Sequence, residues 1–261
     1  DFAKVQPFFR RDPRREADWA AVLKELDAHT YPRHELAEIC VRALTENGAP
    51  PEALANARAF LKPESVAVVT GQQAGLLGGP LYSLYKALTA IKLARDLAAR
   101  FPGRPCVPLF WVASDDHDLA EVNHAFLFGG DGKVERFQVE TGAEAHGASV
   151  VDVSVREQIE KLRAPLEALL PGAAAELLAP YRDAHLGQAF ARLLTKWLGP
   201  LGLVVVESYE FRILSTKLVQ RELNEFPRHS ALIRDAGQAL KSAGYPVELD
   251  EAKDAPHLFI T

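Results

Sequence analysis

What this sequence has little of excludes several function classes before any motif is read. No apolar run approaches the roughly 20 residues that a membrane-spanning helix needs, so nothing in the 261 residues reads as a span. Cysteine is confined to Cys40 and Cys106, with no C-x-x-C pair and no zinc-ligand spacing, which suits a reducing cytosol. Concentrated positive charge is missing as well. The formal net charge is -5 and Lys and Arg are dispersed, so attraction to a nucleic-acid backbone has no support. A local pocket can still oppose the global sign and take a small anion. Neither G-x-x-x-x-G-K-[ST] nor G-x-G-x-x-G occurs, and H-E-x-x-H and G-x-S-x-G are absent too. The usual P-loop, dinucleotide, zincin and nucleophile-elbow fingerprints are therefore not met. No internal repeat, low-complexity tract or basic-then-apolar leader stands out, and the expected compartment is the cytoplasm. The chain stops at "HLFIT", inside a strand-like run, and the natural protein is expected to be longer.

What is present is an ordinary globular balance, 48% hydrophobic and 25% charged, at a length that can bury a sizeable core. From Asp12 to Leu61 the apolar spacing is helical, with Trp19, Val22, Leu23 and Leu26 on one face and Leu36, Ile39, Cys40 and Leu44 on another. "SVAVVT" then reads as a strand buried on both faces, and "PLYSLYKALTAIKLARDLAARF" as a long helix with Pro80 in its first turn. "CVPLFWVAS" is the next buried strand. Strand, loop, helix and strand make a βαβ unit, which predicts a parallel sheet with a right-handed crossover. "AFLFGGDGKVERFQVE" predicts a β-hairpin within an insertion over 124–153. Helices are expected at "VREQIEKLRAPLEALL" and "GQAFARLLTKWLG", a third buried strand at "LGLVVVES", and a long helix from there to about Ala243. "YPVELD" and "HLFIT" read as further strands.

Two loops concentrate the chemistry. In open α/β sheets, ligands bind at the carboxyl ends of the strands, where the following helix directs N–H groups and a positive dipole end. Gly71, Gly75, Gly78 and Gly79 fall in that place, and Gln72 and Gln73 add amide donors and acceptors. Without Cβ atoms these glycines allow a close approach to an anion; a plain glycine-rich connection is the alternative. Tyr82 and Lys86, four residues apart on the next helix, share a face. Tyr82 and Tyr85 either look into the pocket or pack under the sheet with their hydroxyls at its rim. The second loop, "FWVASDDHDLAEVNH", follows the second buried strand. It brings Trp111, Ser114, Asp115, Asp116, His117, Asp118, Glu121 and His124 to the same edge. Such a cluster binds an amine, performs acid/base work through His117, or holds a divalent metal. The plainer alternative is a helix N-cap at Ser114 or Asp115. His146, His185, His229 and His257 lack carboxylate or cysteine neighbours in a recognisable arrangement, and are expected at the surface or in the core.

Taken together, "VVTGQQAGLLGGPLYSLYKALTAIKLA" and "VPLFWVASDDHDLAEVNH" closely resemble the BshC family, cysteine-adding enzymes of bacillithiol biosynthesis. The similarity runs from "FFRRDP" to "LNEFP" and beyond; Asp115 departs from the family, which more often has Glu there. The resemblance implies one Rossmann-like α/β domain over 1–261. Its parts would be N-terminal helices over 1–62, the first βαβ unit with both loops over 63–123, the hairpin insertion over 124–153, and the remaining helices and strands over 154–261. The family's dimerising coiled coil would lie largely outside this chain, which implies a homodimer. The implied partners are L-cysteine and glucosaminyl malate, joined as an amide. A likeness to class I aminoacyl-tRNA synthetases makes ATP the implied cofactor and no metal, although their "HIGH"-type signature is replaced here by Gly78-Gly79-Pro80-Leu81.

Three readings follow. In a cysteine ligase, the glycine loop with Gln72, Gln73 and Lys86 holds an anionic group, while Asp115, Asp116 and His117 orient and deprotonate an amine. In a metal-assisted hydrolase, Asp115, Asp116, His117 and Asp118, with His124 as a further candidate ligand, surround an ion. The third reading is a non-catalytic nucleotide-binding or scaffold domain.

Overall fold

A computed structural model describes residues 2–115, 118–129, 131–140 and 155–247. The chain divides into two compact units, Asp1–Glu210 and Phe211–Thr261. In the first unit, four helices precede the sheet: α1 (Phe2–Val5), α2 (Glu16–Asp27), α3 (Arg33–Glu46) and α4 (Pro51–Ala59). The stripes read from the sequence are the faces that turn inward, with Leu23 of α2 and Ala37, Cys40, Ala43 and Leu44 of α3 buried. Arg33 fastens α3 to the start of β1 (Val66–Gln72) by donating to the carbonyls of Phe60, Pro63 and Ser65 and to Ser65 Oγ.

The predicted βαβ unit is present. β1 leads through α5 (Leu81–Arg100) to β2 (Cys106–Val112), and the two strands pair in parallel from Val66 opposite Cys106 to Gln72 opposite Val112. Then come α6 (Leu119–Val122) and an antiparallel hairpin, β3 (His124–Phe128) with β4 (Val134–Gln138). Gly130 and residues 141–153 of the expected insertion lie outside the described residues, as does residue 154. Helices α7 (Arg156–Lys161), α8 (Arg163–Leu169), α9 (Ala174–Leu178) and α10 (Leu186–Leu198) lead to β5 (Val204–Glu207). β5 adds in parallel to β2, from Leu109 opposite Val204 to Val112 opposite Glu207, giving the order β1-β2-β5. Because side chains alternate along a strand, the sheet offers two faces. Phe110, Val112 and Val205 join Ala87 and Ile91 of α5 and Phe190 and Leu194 of α10 in one apolar cluster. Leu109, Val204 and Val206 are buried outside it, on the face that α3 and α4 cover by packing on β5.

One expectation needs correction. Among the described residues, β1 is an edge strand, and it is not buried on both faces: Val69 is 61% exposed and Ala67 is exposed as well. Its apolar, β-branched composition suits a central strand as well as an edge strand, and only β2 and β5 are buried in the predicted way. In the second unit, α11 (Arg212–Ser242) is the expected long helix and carries Pro227 inside it. Tyr245 to Val247 are irregular, and the rest of "YPVELD" and all of "HLFIT" lie outside the described residues. No helix among the described residues is long and apolar enough to cross a membrane.

Candidate active site

Parallel pairing fixes the rim. Because Gln72 stands opposite Val112 and Val112 opposite Glu207, all three strands end together, and the loops that follow them leave the same edge of the sheet. The Ala113 N–H extends the β1–β2 ladder by donating to the Gln72 carbonyl at 3.0 Å.

The glycine loop occupies that rim mainly by packing against the protein. After β1, Ala74 to Gly78 are buried, with a single helical turn over Leu76–Gly78 wedged against α10 and β3. Gly78 has φ +94°, and a Cβ there would lie 2.7 Å from the Trp197 ring of α10. A Cβ on Gly75 would lie 2.5 Å from Gly79 Cα, so the chain folds back on itself there; one on Gly71 would lie 2.5 Å from the Trp111 carbonyl oxygen on the neighbouring strand. The Leu77 N–H donates to the buried Tyr181 hydroxyl at 2.6 Å, and the Gly78 N–H is directed to the same oxygen. These contacts give the absent Cβ atoms an internal reason, where the sequence offered an anion.

Lys86 and Gln72 do come together. Lys86 Nζ donates to the Gly71 carbonyl and to Gln72 Oε1, both at 2.9 Å, and lies 4.5 Å from the centre of the Tyr82 ring. Tyr82 and Lys86 share a face as expected. That face borders an open groove between the outer edge of β1 and α5, lined also by Val69, Tyr85 and Leu93. Tyr82 and Tyr85 are 59% and 62% exposed, so neither packs under the sheet. Gln73 is half-buried just beyond β1.

Beyond β2, Trp111 is half-buried in the strand and Ser114 is buried. The Asp115 N–H donates to Ser208 Oγ at 3.0 Å, tying this loop to the end of β5. Asp116 and His117 lie outside the described residues. The cap of α6 is Asp118, whose carboxylate accepts from the Glu121 N–H at 3.3 Å; neither Ser114 nor Asp115 holds that position. His124 opens β3 with Asn123 Oδ1 3.3 Å from its Nδ1 and its ring edge-on to Phe126.

The third strand end was missed. Glu207 closes β5 with its side chain only 3% exposed. The Ser114 hydroxyl hydrogen-bonds to its carboxyl group, while Oε2 is enclosed with no hydrogen-bond partner among the described residues. Burial, reinforced by the Glu210 carboxyl, pushes Glu207 up to about 8, against the opposing pull of Ser114. Glu210, whose Oε2 accepts from the Glu207 N–H, is also raised, chiefly by burial. His185 Nδ1 lies 3.8 Å from Glu207 Oε2, a distance that invites an ion pair. That nitrogen, however, accepts from the Gln188 N–H at 3.1 Å as the cap of α10, so it has no proton to give Glu207. His229, likewise expected without a carboxylate, has Glu222 Oε2 2.6 Å from its Nδ1, seven residues away on α11. His146 and His257 lie outside the described residues. An acid ending the uniformly apolar run "LVVV" was the available signal for Glu207, had the strand-end rule been applied to the third strand.

Among the described residues, no group of three or more His, Cys, Asp or Glu side chains is arranged to hold a metal ion. A separate apolar pocket, lined by Leu26, Tyr31, Arg33, Phe60 and Val66, sits by the amino end of β1, away from the strand ends that carry these polar groups.

Comparison with known proteins places this architecture. Residues 1–261 match the family described as "Bacillithiol biosynthesis BshC, N-terminal Rossmann-like domain". Three similar proteins, each named "Putative cysteine ligase BshC", come from Koribacter versatilis, Chloroherpeton thalassium and Desulforamulus reducens. They are 36%, 30% and 30% identical over 81%, 94% and 99% of this chain, but over only 40%, 46% and 49% of their own lengths. The chain thus spans less than half of each of these relatives. With a parallel sheet flanked by helices and a family match along its whole length, the chain belongs to the BshC family, as its N-terminal Rossmann-like domain.

Proposed function

We propose that this chain is the Rossmann-like part of a ligase that joins the carboxyl group of L-cysteine to the amine of glucosaminyl malate. The relatives' names support the cysteine half of that reading, and the family description supports the pathway. One geometric observation carries it to these residues: the glycine loop and the loop bearing Asp115 leave adjacent parallel strands at one rim, with Gln72 opposite Val112. The amide forms when the amine, after losing a proton, attacks the carboxyl carbon and one carboxyl oxygen departs. An ammonium has no lone pair for that attack, so the site must orient the amine and take its proton. We assign that work to Asp115 with Asp116 and His117 of the same loop. The substrate's anionic groups fall to Gln72, Gln73 and the amino end of α5.

ATP is the activator we propose to test. The tip of the glycine loop does not fit a phosphate, because the Leu77 and Gly78 N–H groups are directed at Tyr181. A homodimer joined by a coiled coil outside this chain, and a cytoplasmic location, belong to the same proposal. The names of these relatives lend nothing to the metal-hydrolase reading.

The test is turnover by the full-length protein, supplied with L-cysteine and glucosaminyl malate with and without ATP, and read by mass spectrometry. The expected product has the summed mass of both substrates less one water, and Asp115→Asn lowers its rate. Absence of the amide under every condition overturns the ligase reading.

A further inference from the structure

Among the described residues, Glu207 is the one carboxyl group at the rim that is both enclosed and left with an orphan oxygen. A buried polar atom without a partner costs free energy, so its surroundings must hold it there. They converge on a single point. A Cβ added to Gly187, in the first turn of α10, would lie 2.2 Å from Glu207 Oε2, 2.9 Å from Ser114 Cβ and 3.3 Å from His185 Nδ1. The absent side chain of Gly187 is therefore what lets the ends of β2 and β5 close onto α10. From this position Glu207 accepts Ser114, while the adjoining Ser208 hydroxyl accepts the Asp115 N–H and lies 3.5 Å from Ser114 Oγ.

We propose that Glu207 is a positioning residue: clamped between Ser114 and the first turn of α10, its carboxyl group fixes the start of the loop that presents Asp115 to the substrate. The loop's role in catalysis rests on the ligase reading; the clamp itself does not. Among the described residues, the charged and titratable groups that face Glu207 are Asp115 from the β2 loop, Tyr209 and Glu210 from the turn after β5, His185 at the cap of α10 and Arg192 within it. Arg42 and Glu46 of α3 act on Glu210 behind it. Arg192, the guanidinium that acts on Glu207 itself, is engaged with Asp183 at 2.6 Å. With acids outnumbering cations around it, the carboxyl works best uncharged, and an amide of the same shape can replace it.

The experiment compares Glu207→Ala, Glu207→Gln, Glu207→Asp and Gly187→Ala in the full-length protein. In Glu207→Ala, amide hydrogen exchange at Ser114 and Asp115 should rise about tenfold or more, because the loop opens without global unfolding. kcat should fall by roughly tenfold to a hundredfold, as expected for a misplaced reacting group. Glu207→Gln should restore both, and should remove the alkaline fall in kcat/KM expected of the wild type as Glu207 loses its proton near pH 8. If Glu207→Ala does not fold, Glu207→Asp, one methylene short, and Gly187→Ala, which pushes into Oε2, should each give the raised exchange. Wild-type exchange at Ser114 and Asp115 in the folded variants overturns the proposal, as does a Glu207→Gln protein whose pH profile matches the wild type. If the wild type makes no amide while the exchange results hold, the ligase reading has failed and the clamp has not.

Discussion

A Cβ on Gly78 would meet two obstacles at once, a backbone at φ +94° and the Trp197 ring 2.7 Å away. In an anion cradle, substitution there would weaken ligand binding; with Trp197 packed against it, substitution destabilises the fold. Gly78→Val should lower stability by on the order of 2–6 kcal/mol, the sum of backbone strain and overpacking, measured by chemical denaturation. Wild-type stability would show that the turn is not packed in this way. Tyr181 is the partner residue of the same loop. Its hydroxyl, with acidity suppressed by burial, accepts the Leu77 N–H, and Leu77 itself holds the left-handed region at φ 54°. Tyr181→Phe leaves a buried N–H without an acceptor and should cost about 1–3 kcal/mol with little change in shape. Glycine spacing was legible at these positions, but its purpose was not. A Cβ-free position looks the same in a sequence whether a ligand or a tryptophan 119 residues later fills the space.

Among the elements, α10 shows how a terminus can decide the electrostatics of a site. His185 caps the helix by accepting at Nδ1, and that bond denies Glu207 an ion-pair partner. His185→Ala should therefore cost about 1 kcal/mol of stability, and His185→Asn should recover most of it, since asparagine is a good N-cap. An ion pair would predict the opposite for asparagine, which carries no charge. Periodicity exposed the helices, the parallel βαβ unit and the hairpin, because each depends on local spacing of apolar residues. The edge position of β1 was not readable in that way. "SVAVVT" has the composition of a central strand, and only the order β1-β2-β5 puts it at the side. The place of Glu207 at a strand end was readable, but its enclosure depends on Ser114 and Gly187, remote in sequence and adjacent at the rim.

At the scale of the whole molecule, buried acids leave a signature in stability against pH. Glu207 is raised to about 8 in the folded chain, and Glu210 is raised as well. An unfolded glutamate releases its proton near 4.5, so between these values the folded state binds more protons than the unfolded one. The contribution of Glu207 to stability is thus complete below about pH 4.5 and is lost as the pH rises through about 8. Denaturation midpoints across that window should decline in the wild type, and Glu207→Gln should flatten the decline. A slope unchanged by that substitution would place the effect elsewhere.

We propose that the joint carboxyl ends of β1, β2 and β5 hold the substrate amine. A crystal structure of the full-length protein with glucosaminyl malate is the decisive test. The amine should lie within hydrogen-bond reach of the loop that begins at Asp115, beside Ser114 and Glu207. Glucosaminyl malate seated instead in the groove of Val69, Tyr82 and Tyr85, or in the pocket by Arg33 and Phe60, would contradict it.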